Sequence, residues 1–236
     1  MSFCMADRKA KKSSNPSEQE RFWRGEFCDA YTDRSAVTAH DLRARTALWA
    51  QILDRMTHAP PRSILEAGAN VGGNLRALRA LTDAKFFAIE PNAKAREALI
   101  GDGVVPRSNV RDGVAAAIDF PDSSVDLVFT SGVLIHVHPD DLAASCKELH
   151  RVARQHIVCI EYFSVKPEEV PYRGHGERLF KRDFGAFWLD SFPQLRVLGY
   201  GFAWKRLTGL DNVNWWVFEK PAAGASQAGS SPDRRP

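Results

Sequence analysis

Along most of the chain the spacing of apolar residues changes in a regular way. Short, nearly continuous apolar runs are each followed by a stretch in which apolar residues recur every three or four positions. A strand buried on both faces gives the first pattern and a crossover helix gives the second. The alternation therefore predicts an α/β fold built on a mostly parallel sheet with helices on both faces. Strands are expected over 63–66, 85–89, around Val104-Val105, and over 125–130 and 156–162. The helices between them fall at 74–81, with Leu75, Leu78 and Leu81 facing the core, at 93–100 and at 141–152. Beyond residue 162 the rhythm breaks. A long polar loop leads to a helix over 181–192, where Phe180, Phe184, Phe187, Trp188 and Phe192 have the spacing of a core face rather than a ligand cage. Two aromatic strands, 195–204 and 215–219, follow as an antiparallel edge pair, bringing the sheet to seven strands. In the last of them Trp215 and Trp216 point to opposite faces. Helices over 18–31 and 42–56 precede the sheet, and no internal repeat is visible.

Composition changes this picture at the two ends. Residues 1–17 and 221–236 are polar, charged or small, and are expected to remain disordered tails. One domain over 18–220 is left, with a helical cap over about 18–58. A hydrophobic content of 44% in 236 residues suffices for one sizeable core. No run approaches the length of a membrane span. Cys4, Cys28, Cys146 and Cys159 show neither paired nor metal-type spacing, so the expectation is a reduced, cytoplasmic protein without a metal site. The net charge of +3 is mild and its basic residues are scattered. Neither nucleic acid nor membrane is an expected partner; a small anionic acceptor is compatible.

The candidate chemistry starts where the first strand ends, in Glu66-Ala67-Gly68-Ala69-Asn70-Val71-Gly72-Gly73. Open α/β sheets bind ligands beyond the carboxyl ends of their strands, and glycines there permit a sharp exit and a close approach. A dinucleotide site wants glycine where this chain has Asn70, whose side chain fills the space needed by a pyrophosphate. Glu66 would repel a pyrophosphate but can accept from the amino group of an amino-acid moiety. Glu90, at the end of the second strand, is placed to accept from both hydroxyls of a ribose. An amino acid and a ribose in one ligand indicate S-adenosylmethionine.

The segments FWRGEFCDAYTDR (22–34), LEAGANVGGNLRAL (65–78), DLVFTSGVLIHVHPDDL (126–142), EYFSVKPEEVPYRGHGERLFKRDF (161–184) and LDNVNWWVFEK (210–220) carry a resemblance. The chain from about 20 to 220 resembles class I S-adenosylmethionine-dependent methyltransferases of Rossmann-like fold. It is most similar to the pseudaminic acid biosynthesis-associated methylase family of bacterial surface-sugar loci. The resemblance implies methyl transfer to a small acidic metabolite, such as a nonulosonic acid or a nucleotide-sugar precursor. It also implies that the amino-terminal helix closes over the cofactor, with Tyr31 and Arg34 near the cofactor carboxylate. The expected cofactor set extends to Asn74, Pro91, Ser108, Asn109, Val110, Thr130, Ser131 and Gly132.

His136, just after the fourth strand, is the expected orienting or basic residue for the acceptor, with a packing or capping histidine as the plain alternative; His138 is expected to face solvent. The run Pro171-Tyr172-Arg173-Gly174-His175-Gly176-Glu177-Arg178 combines an aromatic ring, glycines and forked cationic donors suited to a carboxylate or phosphate. Tyr172, Arg173, His175 and Arg178, with Tyr162, form the expected acceptor site; the alternative is a solvated basic loop. A peptide or protein methyltransferase and a cofactor-binding protein without turnover are the two other functions compatible with these features.

Overall fold

The computed structural model describes residues 17–221. Apart from Ser17 and Pro221, the tails expected from the sequence, and Cys4, lie outside these residues. Seven strands form the main sheet: β1 (Ser63–Ala67), β2 (Lys85–Ile89), β3 (Val110–Arg111), β4 (Val125–Ser131), β5 (Ala153–Glu161), β8 (Arg196–Ala203) and β9 (Val213–Glu219). Two further two-residue strands, β6 (Glu168–Glu169) and β7 (Phe180–Lys181), pair with each other beside the sheet. The strand order is β3-β2-β1-β4-β5-β9-β8. Strands β1 to β5 run parallel, and β9 lies antiparallel to both β5 and β8. The last strand of the described residues is thus inserted one place in from the edge.

Residues along each central strand alternate between two cores, as the pleat requires. Ile64, Leu127, Phe129, Val158, Ile160, Trp215 and Val217 face one side, where Trp49, Ile52 and Met56 cover them. Leu65, Val128, Ile157, Cys159 and Phe218 face the other, under Leu142, Cys146, Leu149 and Trp188. The first layer comes from α3 (Ala39–Asp54), whose start is fixed by a capping box between Thr38 and Asp41. The second comes from α6 (Pro139–Val152) and α7 (Phe184–Ser191). Helices α4 (Gly73–Leu78) and α5 (Ala93–Gly101) follow β1 and β2, and a short α8 (Lys205–Thr208) precedes β9.

Three expected elements change on folding. The third strand lies at Val110–Arg111, paired with Ala88 and Ile89, and not at Val104-Val105. Val104 N–H instead closes the end of α5 by donating to the Leu99 carbonyl at 3.2 Å, and both valines are buried as plugs beside that helix. The amino-terminal helix is two helices, α1 (Glu18–Arg24) and α2 (Glu26–Arg34), because Gly25 adopts extended angles of φ −95° and ψ −166°. The helix expected over 181–192 begins only at Phe184, capped by Asp183, since Phe180 and Lys181 are already used in the β6–β7 pair. Phe184 and Trp188 are fully buried, as a core face demands.

Candidate active site

The loop from β1 to α4 folds back over the end of β2. Gly68 (φ +80°) and Ala69 both donate to the Ile89 carbonyl, at 2.8 and 3.1 Å. A Cβ at Gly68 would lie 2.5 Å from Val133 Cγ2, so only glycine fits between the ends of β1 and β4. Asn70 takes the left-handed conformation (φ +45°) and its N–H donates to Glu90 Oε2 at 2.8 Å, while its Nδ2 donates to Ser35 Oγ at 3.0 Å. Gly72, also left-handed, is the N-cap of α4.

Glu66 lies at the bottom of this loop, 2% exposed. Its Oε1 accepts from Asn74 Nδ2 at 2.7 Å. Asn74 Oδ1 in turn accepts from Arg45 Nη1 at 2.8 Å and Trp49 Nε1 at 3.3 Å. Glu66 Oε2 is buried with no partner. Burial, only partly offset by Asn74 and Arg45, pushes this carboxyl up to about 8. Glu90 is also buried and its carboxyl is also raised by desolvation, but each of its oxygens holds one backbone N–H, from Asn92 at 2.9 Å and from Asn70. A carboxylate has roughly four lone-pair sites, so Glu90 retains acceptor capacity.

Across the switch point between β1 and β4, Ser131 and Gly132 lead into a 3₁₀ turn, Leu134–His136. That turn is held from below by Glu161 at the end of β5, whose carboxylate accepts from the N–H groups of Val133, Leu134 and Ile135 at 3.2, 3.0 and 3.4 Å. His136 Nδ1 lies 2.6 Å from the Arg178 carbonyl. A carbonyl only accepts, so Nδ1 carries the proton and Nε2 is the free acceptor. Burial lowers the imidazole to about 4, so the ring is neutral at physiological pH. Trp23 and Tyr172 flank it, with centroids at 4.6 and 4.8 Å. His138, expected in solvent, is instead half-buried and serves as the N-cap of α6.

These groups converge on one cavity of about 480 Å³, within the roughly 300–1,000 Å³ usual for ligand pockets. Of the expected cofactor residues, Glu66, Gly68, Asn70, Asn74, Glu90, Pro91, Ser131, Gly132 and Tyr31 line it, as do Arg34, His136 and Arg173. Gly72 and Thr130 are not part of this lining. Ser108, Asn109 and Val110 do not line it; Asn109 is buried and donates to the Phe86 carbonyl. Their place is taken by Val114, Ala115 and Ala116, because the third strand lies later in the chain than its apolar pair suggested and its carboxyl end moves with it.

The acceptor loop is also partly redirected. Arg173 (φ +51°) reaches the cavity. Tyr162 instead donates to Asp211 at 3.0 Å, away from the lining. Tyr172, His175 and Arg178 pack on the amino-terminal helices: Tyr172 on Trp23 and Phe27, His175 on Phe22 and Phe27, and Arg178 over the Phe22 ring and paired with Glu18. Helices α1 and α2 present three aromatic rings that require cover, and the loop supplies it.

Residues 65–160 match a family model described as a methyltransferase domain. The matched segment starts in β1 and ends in β5, so it includes Glu66, Glu90 and His136. No curated protein matches the chain. Solved structures share the fold. The 1,6-didemethyltoxoflavin-N1-methyltransferase of Burkholderia thailandensis, with bound 1,6-didemethyltoxoflavin and S-adenosylhomocysteine, superposes with a TM-score of 0.64 at 18% identity, covering 89% of this chain and 92% of that one. A SAM-dependent methyltransferase from Leishmania major gives 0.64 at 14%, covering 86% and 87%. Magnesium protoporphyrin IX methyltransferase from Synechocystis with bound SAM gives 0.61 at 12%, covering 89% and 100%.

Two contributors to the candidate site were not singled out in the sequence. Arg45 lines the cavity one helical turn before Trp49, on the same face of α3, and an arginine interrupting an apolar face is the signal that marks it. Glu161, fully buried, is an acid closing an apolar strand, the same signature as Glu66.

Proposed function

We propose that this protein is an S-adenosylmethionine-dependent methyltransferase acting on a small acidic metabolite, such as a nonulosonic acid or a nucleotide-sugar precursor. The observation that carries this reading is the pair of buried acids, Glu66 and Glu90, at adjacent strand ends of one cavity in a methyltransferase-type sheet. The orphaned Glu66 Oε2 fits the ammonium of the cofactor's amino-acid moiety, and the spare acceptor sites of Glu90 fit its ribose hydroxyls. Arg45, Arg34 and Tyr31 line the same cavity and suit its carboxylate. When bound, the cofactor supplies a methyl group on a sulfonium, a good leaving group.

The chain's own residues then have to place the acceptor and exclude water. Neutral His136 would accept a hydrogen bond at Nε2 from an acceptor hydroxyl and so aim its oxygen. Glu161 keeps His136 in register by fixing the turn that carries it. Trp23 Nε1, buried and unpartnered, offers a donor beside that ring. Arg173 supplies positive charge for an acidic acceptor. The toxoflavin and protoporphyrin enzymes that share the fold act on small molecules, which supports a small acceptor. A peptide groove along the 161–184 loop is disfavoured because helices α1 and α2 cover Tyr172, His175 and Arg178 within it.

Methyl transfer to a panel of acidic sugars and their nucleotide conjugates, read by mass spectrometry, tests the reading. Arg173→Ala should lose about tenfold or more of turnover at limiting acceptor, the value of a hydrogen bond to a charged group, with S-adenosylhomocysteine affinity unchanged. Equal loss of both would mean that Arg173 serves the cofactor. A parent protein that binds S-adenosylhomocysteine but methylates nothing acidic would overturn the acceptor class.

A further inference from the structure

At the opposite end of the sheet, where the parallel strands begin, three potential metal ligands face one another. His156 on β5 and Glu219 on β9 are cross-strand partners, and His58 hangs over the same face from the turn that follows α3. His58 Nε2 lies 2.7 Å from Glu219 Oε1, and His156 Nε2 lies 4.0 Å from the same oxygen. The ligand atoms of all three are within 4.8 Å of one another, and no other group of this kind occurs among the described residues.

A second observation sets this cluster apart from a surface ion pair. His156 is 0% exposed and neither of its ring nitrogens has a hydrogen-bond partner. A buried imidazole donates with one nitrogen and accepts with the other, and leaving both unsatisfied is destabilising. The surrounding polar groups do not relieve it. Arg196, the other cross-strand partner of Glu219, pairs with Oε2; Arg154 pairs with Asp126; and Lys220 donates to the carbonyls of His150 and Ala153. Oε1 of Glu219 is therefore the oxygen left facing both histidines.

We propose that His58, His156 and Glu219 form a binding site for a divalent transition metal of the zinc class. Two imidazoles and one carboxylate are a borderline nitrogen–oxygen donor set, preferred by zinc over magnesium or calcium. Ligand-to-metal distances of about 2.0–2.2 Å put tetrahedral ligands a little over 3 Å apart. His58, which is exposed, has the freedom to withdraw slightly and admit the ion. Water completes the coordination. The ion would tie the end of α3, the helix that carries Arg45 and Trp49, to the β5–β9 pair. It would sit far from the cavity, about five strand residues below Glu161. The site does not depend on methyl transfer.

The test uses the full chain without an affinity tag, stripped with EDTA and titrated with Zn²⁺ against a chromogenic chelator, and separately with Co²⁺ followed by visible absorption. One equivalent should bind and the melting temperature should rise. His58→Ala, which alters an exposed residue, should weaken Zn²⁺ binding by more than about tenfold and abolish the thermal shift. His156→Phe removes the unpartnered imidazole but keeps an aromatic ring; it should melt no lower than the metal-free parent and no longer respond to zinc. S-adenosylhomocysteine affinity should be the same in all three proteins, which separates this site from the cavity. Absence of one-equivalent binding in the parent, or parent-like affinity in His58→Ala, would overturn the proposal.

Discussion

Glu66 and Asp126 are buried to nearly the same degree, 2% and 3% exposed, and stand on adjacent strands at opposite ends of one sheet. Their acidities move in opposite directions. Burial also opposes the charge on Asp126, but Arg154 binds Oδ1, and the Arg62 N–H, the Ser63 N–H and the Ser63 hydroxyl donate to Oδ2 at 2.9, 3.1 and 3.1 Å, which holds this carboxyl below its usual range. Glu66 has one side-chain donor and a bare oxygen, and rises to about 8. Depth alone distinguishes nothing here. What separates scaffold from site is whether the chain itself fills the lone pairs.

Three measurements bear on that contrast. The largest effect is expected at the scaffold end: Asp126→Ala strands two backbone N–H groups and a hydroxyl, and should cost about 3 kcal/mol or more in urea unfolding. Its folded fraction should bind S-adenosylhomocysteine like the parent; a selective loss of ligand binding would remove the division between the two ends.

Glu90→Ala should act the other way round. Loss of two charge-assisted bonds to the ribose is expected to weaken S-adenosylhomocysteine by about 2–4 kcal/mol in calorimetry. Parent-like affinity with the fold intact would refute the cofactor reading of this strand end.

The smallest effect is a pH dependence. Below pH 8 the free protein holds a proton on Glu66, and a bound ammonium favours the carboxylate, so binding releases that proton. Affinity should therefore tighten as pH rises from 6 to 8, by at most about tenfold per unit, and level off above. In Glu66→Gln the slope should disappear. In the free parent the same raised carboxyl contributes stability that is present below about pH 4.5 and lost as pH rises through 8, opposite in sign to Asp126.

The sheet and the first two strand ends were legible because periodicity and a glycine loop are local signals. Ile64, Leu65, Phe129 and Val158 alternate as pleated strands must, and Glu66 and Glu90 stand where the apolar runs stop. The third strand was misplaced because two buried valines can plug a helix end as well as pair, and only the Ala88–Val110 pairing decides between them. With it the expected cofactor residues fell at 108–110, whereas the cavity is lined by 114–116. The 171–178 loop was read for its charge, whereas its partners, Glu18 and the aromatic rings of α1 and α2, lie more than a hundred residues away in sequence. The His58–His156–Glu219 group is likewise created only by the fold.

The position of β9 bears on how the molecule comes into being. It is the last strand of the described chain to leave the ribosome, yet it separates β5 from β8. Until residues 213–219 emerge, the edge of β5 stays open, with its buried run Ile157 to Ile160 and His156 exposed to any other strand. A long-range pairing is therefore made last, after the five parallel strands have emerged, and the nascent protein passes through a stage in which a completed half carries an adhesive flank.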